Sequence, residues 1–414
     1  MVAHTISSPR GHGAHDRLAA LHRGVMRHGL LLPCLAFMAV VFLWPVVSLL
    51  TKAVYSPEVH DTLPRTAAAV SAWGGHDDPP AALFDALAAD LEAADRRAVA
   101  EAGRRLSYEI PDFRTLLART ATGLSRSQAA AGQGARERLL AIDAKWEETA
   151  YWQAIRRAAS TITPFYLLKA VDLEQKADGG IGRVAPQDAL FLKVLGRSLW
   201  ISAVVTAICL VLAFPVAFTI ASAPARRRGV LLLLVLLPFW TSLLVRSSAW
   251  AVLLQDNGIV NALLMRLGLV DAPVPLIFNR IGVYIAFVHV MLPFMILPIY
   301  SVMVGVSKDY TRAAASLGAS RVMTFRRVYL PLVWPGVWSG CLLTYVIVVG
   351  YYVTPLLVGG SQDQMISYLI AFYTKQTVNW GLASALAILL TVCVLVLVGV
   401  YGLLSRKSRI VVKV

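Results

Sequence analysis

Apolar and polar positions follow two regimes along this chain. In one regime, six uncharged or nearly uncharged runs occur, at Gly29 to Thr51, Leu199 to Ser222, Gly229 to Leu254, Ile281 to Val306, Leu332 to Leu357 and Leu382 to Leu404. A hydrocarbon core about 30 Å thick is crossed by about 20 helical residues, and each run has that length. The pattern predicts an all-α polytopic membrane protein with six transmembrane helices. It divides the chain into an N-terminal tail (1–28), a first transmembrane helix (29–53), an insertion (54–188), a transmembrane core (189–404) and a C-terminal tail (405–414).

The second regime lies between the first two runs. In "DDPPAALFDALAADLEAADRRAVAEAGRRL", Asp78 is placed to cap a helix, prolines fall in its first turn, and Phe84, Leu87 and Leu91 form one apolar stripe. Further stripes run through "PDFRTLLARTATGL" and "RERLLAIDAKWEETAYWQAIRRAAS", where Trp146, Trp152 and Ile155 supply core candidates. The expectation is a small helical domain of roughly 130 residues, an ordinary size for an independent unit. It shows no strand alternation and no catalytic constellation.

A third pattern interrupts the last apolar runs. The stretch "DYTRAAASLGASRVMTFRRVYLPLVWPGV", from Asp309 to Val337, is cationic and rich in small residues. Asp309 is placed to cap a short helix, Gly318 to end it in the left-handed conformation, and Ser320 to cap a second helix leading into the next span. Ala313, Ala314 and Ala315 give the first helix almost no bulk, so another protein's surface can approach its backbone.

Charge then orients the chain. Lys and Arg concentrate in residues 1–28, at Arg226 to Arg228, in the cationic stretch and after Leu404, while the short segments on the opposite side hold only Arg266, Arg280 and Lys375. The positive-inside bias puts both termini and the cationic stretch in the cytoplasm and the insertion outside. The net charge of +15 is thus topological, because the insertion is slightly acidic, and a nucleic-acid partner is not implied. A content of 57% apolar residues argues against a soluble globular fold. Cys34, Cys209, Cys341 and Cys393 all fall in spans, so neither disulfides nor a metal site is implied. The His-rich leader matches no metal-ligand spacing and reads as a solvated tail, and the first run reads as a retained span rather than a cleaved signal.

The cationic stretch resembles the "EAA" signature of type I ABC importer permeases: Glu-Ala-Ala, three residues, Gly, nine residues, an aliphatic residue, one residue, then Leu-Pro. The matching positions are Arg312, Ala313, Ala314, Gly318, Val328, Leu330 and Pro331, with Arg312 standing where the family has its acid. Stretches such as "PFWTSLLVRSSAW" and "GYYVTPLLVGG" are similar to the spermidine/putrescine branch. The resemblance runs from about Phe191 to the C-terminus and includes the first span, but says little about the insertion. It implies a type I importer permease fold in the bacterial inner membrane and a coupling loop at 307–331. Arg312, Ala313, Ala314, Ala315, Leu317, Gly318, Leu330 and Pro331 would then contact an ATPase. It also implies the partners: an ABC ATPase dimer, a second permease in a heterodimer, a periplasmic solute-binding protein and membrane lipid. No cofactor is implied. The chain has no Gly-Lys-Ser or Gly-Lys-Thr phosphate loop, so hydrolysis belongs to another polypeptide. The implied solute is a small amine of the polyamine type, with opine-like or amino-acid-like compounds as the alternative. A receptor or a secondary transporter is the rival class.

Candidate path residues have ordinary readings beside the functional one. Arg246 lies 18 positions beyond Arg228 and reads as a snorkelling anchor near the outer boundary or as a path-lining or subunit-pairing cation. His289 reads as a hydrogen-bonded helix contact or a transport residue. Tyr345 and Tyr352 share a face of the fifth run, Tyr351 and Tyr352 suit an interfacial belt, and Trp240 and Tyr300 complete the aromatic candidates. Pro293 and Pro298 each remove a backbone donor from the fourth run and are expected to kink it.

Overall fold

The computed structural model describes residues 32–75, 77–126, 134–175 and 180–411. The N-terminal tail, with its histidines, and the last three residues lie outside them. The chain forms two compact units, Met1–Lys52 and Ala53–Val414. In the first, α1 (Leu32–Thr51) is long and apolar enough to cross a membrane and contains a π turn at Ala39–Leu43.

The second unit opens with the insertion, a helical domain built from α2 (Glu58–Thr62), α3 (Pro64–Ala72), α4 (Ala81–Ala93), α5 (Arg96–Leu106), α6 (Phe113–Arg126), α7 (Ala135–Ile142), α8 (Thr149–Ala158) and α9 (Phe165–Ala170). Its core is aromatic. Trp146, Trp152, Phe84 and Phe113 are fully buried, with the two indole rings 5.4 Å apart. Both indole N–H groups are satisfied, Trp146 donating to Thr120 Oγ1 at 2.9 Å and Trp152 to the Trp146 carbonyl at 2.9 Å, which removes the usual cost of burying them.

Two local expectations fail here. The stretch from Asp78 forms two helices rather than one, because Ala94 and Asp95 are extended between α4 and α5. Asp78 does not cap α4: the helix begins at Ala81, with Pro80 in the extended N-cap position. The Phe84, Leu87 and Leu91 stripe is buried as its spacing predicts. After α9 comes a short antiparallel pair, β1 (Leu173–Gln175) with β2 (Ile181–Arg183), too brief to leave an alternation in the sequence.

Asp172 joins this domain to the membrane core. Its carboxylate accepts hydrogen bonds from the backbone N–H groups of Leu190, Phe191 and Leu192 at 2.7–3.1 Å, the free donors at the start of α10 (Phe191–Ser222). α10 packs with α14 (Arg280–Gly305) and α16 (Arg321–Gly350) around Val205, Phe287, Met295, Ile299 and Val333. Close approach of α14 and α16 depends on Gly336 and Gly340, where an added Cβ would meet Val302 and Met295 at 2.9 Å. Small residues four apart are a recurrent basis for membrane helix contact, since lipid offers no hydrophobic drive for it. The last span, α19 (Trp380–Val411), packs through Leu382, Ala385 and Leu386 against α9 and α18 (Ile366–Lys375), and continues as helix past the expected start of the tail at 405.

Two expected spans are broken. The run Gly229 to Leu254 is α11 (Ala225–Trp240) and α12 (Leu243–Leu253), set at 90° to each other, with the short α13 (Ile259–Arg266) following. Pro238 lies in a 3-10 turn, Thr241 is extended, and Ser242 restarts the helix by accepting from Val245 N at 3.1 Å. The run Leu332 to Leu357 ends as helix at Gly350 and resumes as α17 (Val353–Val358). Pro293 and Pro298 lie within α14, which runs without interruption.

Candidate functional site

The stretch after α14 folds from local signals. Ser307, not Asp309, caps α15 (Lys308–Ser316), accepting from Asp309 N at 3.2 Å, while Asp309 sits in the first turn and receives the Ser307 hydroxyl at 2.9 Å. The helix stops at Gly318, with φ +85°. Gly318 N donates to the Ala315 carbonyl and Ala319 N to the Ala314 carbonyl, both at 3.0 Å, which is the Schellman arrangement. Ser320 then caps α16, as its position predicts, accepting from Met323 N at 3.3 Å.

The first turns of α16 contain a π turn at Phe325–Tyr329, closed by Leu330 N donating to the Phe325 carbonyl. Pro331 explains it physically: a proline cannot donate to the carbonyl four residues back, and the ladder shifts by one. Leu330 and Pro331 therefore continue the same helix that carries Gly336 and Gly340 onto α14, so α15 is joined directly to the core. Its outward surface is small and open, with Leu317 88% exposed and the Arg312 side chain loosely paired to Asp309 at 3.7 Å.

At the two broken spans a second polar group assembles. Ser247 of α12 and Thr354 of α17 share a buried hydrogen bond of 2.9 Å, with the Tyr351 hydroxyl beside them. Arg246, within electrostatic reach of Tyr351 and His289, is buried rather than snorkelling. Its expected depth fails because the 90° bend ends the straight rise counted from Arg228. Arg246 Nε and Nη1 are buried without a hydrogen-bond partner among the described residues. His289 accepts a hydrogen bond from Trp250 Nε1 at 3.0 Å.

The other aromatic candidates are dispersed. Trp240 is 85% exposed at the bend, and Tyr300 packs on the α10, α14 and α16 core. The Tyr345 hydroxyl donates to the Leu199 carbonyl at 3.3 Å, and Tyr352 accepts from Lys375 at 3.5 Å.

Sequence reasoning missed the clamp on the segment after α17. Arg280 pairs with buried Asp363 at 2.9 Å, and the Arg197 guanidinium donates to the carbonyls of Gln362 and Gln364. The available signal was Asp363 itself, the only acid after Asp309, set in the polar run from Ser361 to Gln364. Among the described residues, no group of His, Cys, Asp and Glu is arranged to hold a metal ion.

Five helices long and apolar enough to span, together with a sharply bent pair, make this a polytopic membrane protein with a short exposed helix between two spans. Residues 198–410 match the family of the binding-protein-dependent transport system inner membrane component, and the chain belongs to this family. It is a multi-pass permease subunit of an ABC importer in the inner membrane. Over 219 residues it is 35% identical to the spermidine/putrescine transport system permease protein PotB of Escherichia coli K12, covering 53% of this chain and 80% of that protein. The Haemophilus influenzae PotB is 37% identical over 225 residues, with 53% and 79% covered. Among solved structures, the bacterial alginate ABC transporter in complex with an alginate-pentasaccharide-bound periplasmic protein aligns at 19% identity and a TM-score of 0.44, over 52% of this chain and 78% of that one. The family match begins at Ser198 and leaves the insertion outside it.

Proposed function

We propose that this permease carries a small amine-bearing solute of the polyamine type, paired with a second, different permease, driven by an ATPase dimer and supplied by a periplasmic binding protein. The observation that carries the solute class is the 35–37% identity to spermidine/putrescine permeases across about four fifths of their length. In this reading both termini and α15 are cytoplasmic, in accord with the distribution of Lys and Arg. α15 and the turn that ends it, from Arg312 through Gly318, with Leu330 and Pro331 behind them, dock the ATPase. The small side chains of α15 and the short Gly318 turn that joins it to α16 support that role, since a push on α15 would be passed to a rigid span. The insertion faces outward as an accessory surface for the binding protein or the second permease.

Arg246 favours a second reading of the solute. A buried guanidinium with unpaired donors repels a polycation and suits a carboxylate, so a zwitterionic, opine-like amine is the alternative. Uptake of labelled putrescine and spermidine, measured with and without the transporter and against excess zwitterionic compounds, separates the two. Saturable uptake blocked by unlabelled polyamine supports the first; blockade by zwitterions alone rejects it.

A further inference from the structure

Behind α15, the ends of α10 and α14 and the π turn of α16 enclose a crevice of about 550 Å³. Arg228, Lys308 and Arg321 line it, and no Asp or Glu does. Arg228 donates Nη2 to the Ala221 and Ala223 carbonyls at 3.1 and 3.2 Å, capping α10, while its Nε is buried without a partner among the described residues. The rest of the lining is largely apolar and aromatic. Phe325 stacks on Tyr329 with centroids 5.9 Å apart, and Phe218 meets Tyr329 edge-on at 5.6 Å.

Two spans end at this crevice, α10 at Ser222 and α14 at Gly305, which puts it where helices leave the hydrocarbon. Cations alone would suit any small anion. Cations above an aromatic floor at the membrane boundary suit a molecule with an anionic head and an apolar tail, and basic pockets between spans are a known form of lipid headgroup recognition.

We propose that this crevice seats one anionic phospholipid from the leaflet on the α15 side, its phosphate on Arg228, Lys308 and Arg321 and its first acyl carbons on Phe218 and Phe325. Such a lipid would stiffen the joint between α15 and the spans, so lipid charge would tune coupling. That consequence rests on the reading of α15 as the ATPase-docking helix; occupancy of the crevice does not.

The permease pair before ATPase is added and the assembled transporter after it, each in phosphatidylcholine nanodiscs with or without phosphatidylglycerol, provide the test. Retained lipid is read by native mass spectrometry and coupling by solute-stimulated ATP hydrolysis. Phosphatidylglycerol should be retained in preference, and Lys308→Gln, at an exposed position, should weaken retention about fivefold, equivalent to ~1 kcal/mol. Arg228→Gln should do the same, although it also uncaps α10. Equal retention of both lipids, or unchanged retention in Lys308→Gln, overturns the proposal. Displacement by inorganic phosphate would make this a soluble-anion site, and displacement by added ATPase would assign the crevice to the subunit interface; either outcome also overturns it. Failure of the permease to bind any ATPase would defeat the coupling reading alone, since lipid retention by the permease would still decide the crevice.

Discussion

Ser247 Oγ and Thr354 Oγ1 stand 2.9 Å apart in a buried hydrogen bond, although 107 positions separate them in the chain. Each lies just beyond a break in a span, so this bond ties together the two irregular points of the membrane core. Irregular backbone at membrane depth is tolerated where it is buried in protein or lines a cavity, and in transporters it commonly surrounds the solute site. Removing one hydroxyl leaves the other unpaired. Ser247→Ala and Thr354→Ala should each cost about 0.6–2 kcal/mol, with a double variant costing clearly less than their sum, as read by denaturation of the purified protein. Full additivity would show that the bond contributes nothing.

The α15 helix gives a functional prediction. Gly318→Asp and Ala314→Asp should leave the protein inserted and abolish solute-stimulated ATP hydrolysis by the assembled complex. Gly318→Ala should be milder, since a left-handed residue with a Cβ costs roughly 1–2 kcal/mol and nothing lies within 4 Å of that Cβ. Arg312→Glu, on an exposed side chain, should be tolerated better than either aspartate. Normal stimulated turnover in the aspartate variants would remove α15 from the coupling role.

Gly381 of α19 faces the ring of Tyr166 of α9, and a Cβ there would lie 2.3 Å from the ring edge. Gly381→Ala should therefore loosen the seam between the insertion and the last span, by about 1–3 kcal/mol as for other overpacked sites. Combining it with Tyr166→Leu should restore much of the loss. Limited proteolysis of the insertion reports the seam, and equal susceptibility of Gly381→Ala and the parent protein would refute the contact.

Asp363 is buried against Arg280 and also accepts from Gly360 N at 3.3 Å. Breaking such a pair from one side costs more than removing both charges. Asp363→Asn should lower stability, and adding Arg280→Gln should recover part of the loss; a thermal melt of the detergent-solubilised protein distinguishes this from two independent effects.

Tyr166 also predicts a pH dependence in the insertion. Burial raises its pKa from 10.0 to about 12, outweighing the opposing influence of Arg105. The folded state then keeps a proton that the unfolded chain loses, so this contribution to stability is intact below about pH 10 and is lost as pH rises toward 12. Lys169 has the opposite sign: burial lowers its pKa below 10.5, and its contribution rises with pH between its folded value and 10.5. Spectrophotometric titration should show a late phenolate that disappears in Tyr166→Phe. A parent protein with no such late step would show that the ring is solvated.

The sequence determined the features that depend on near neighbours. Stretches of about 20 apolar residues can satisfy their backbone in lipid only as helices, so the spans are legible wherever no capping or proline signal interrupts them. The Gly318 turn and the Ser320 cap are equally local. The stripe of Phe84, Leu87 and Leu91 fixed the buried face of α4 through the helical period alone. Ser307 displaced Asp309 as the cap of α15, and Pro80 displaced Asp78 from α4, because boundaries shift by a residue or two at little energetic cost. What the tertiary structure alone decided are the partnerships across distance. The 90° bend after Pro238 was masked by an apolar run that continues through it, and it left Arg246 a buried cation whose Nε and Nη1 have no hydrogen-bond partner among the described residues. Ser247 with Thr354, Arg280 with Asp363 and Gly381 with Tyr166 lie 83 to 215 positions apart. No local pattern encodes such pairs, because they form only when packed helices bring their polar or small positions face to face.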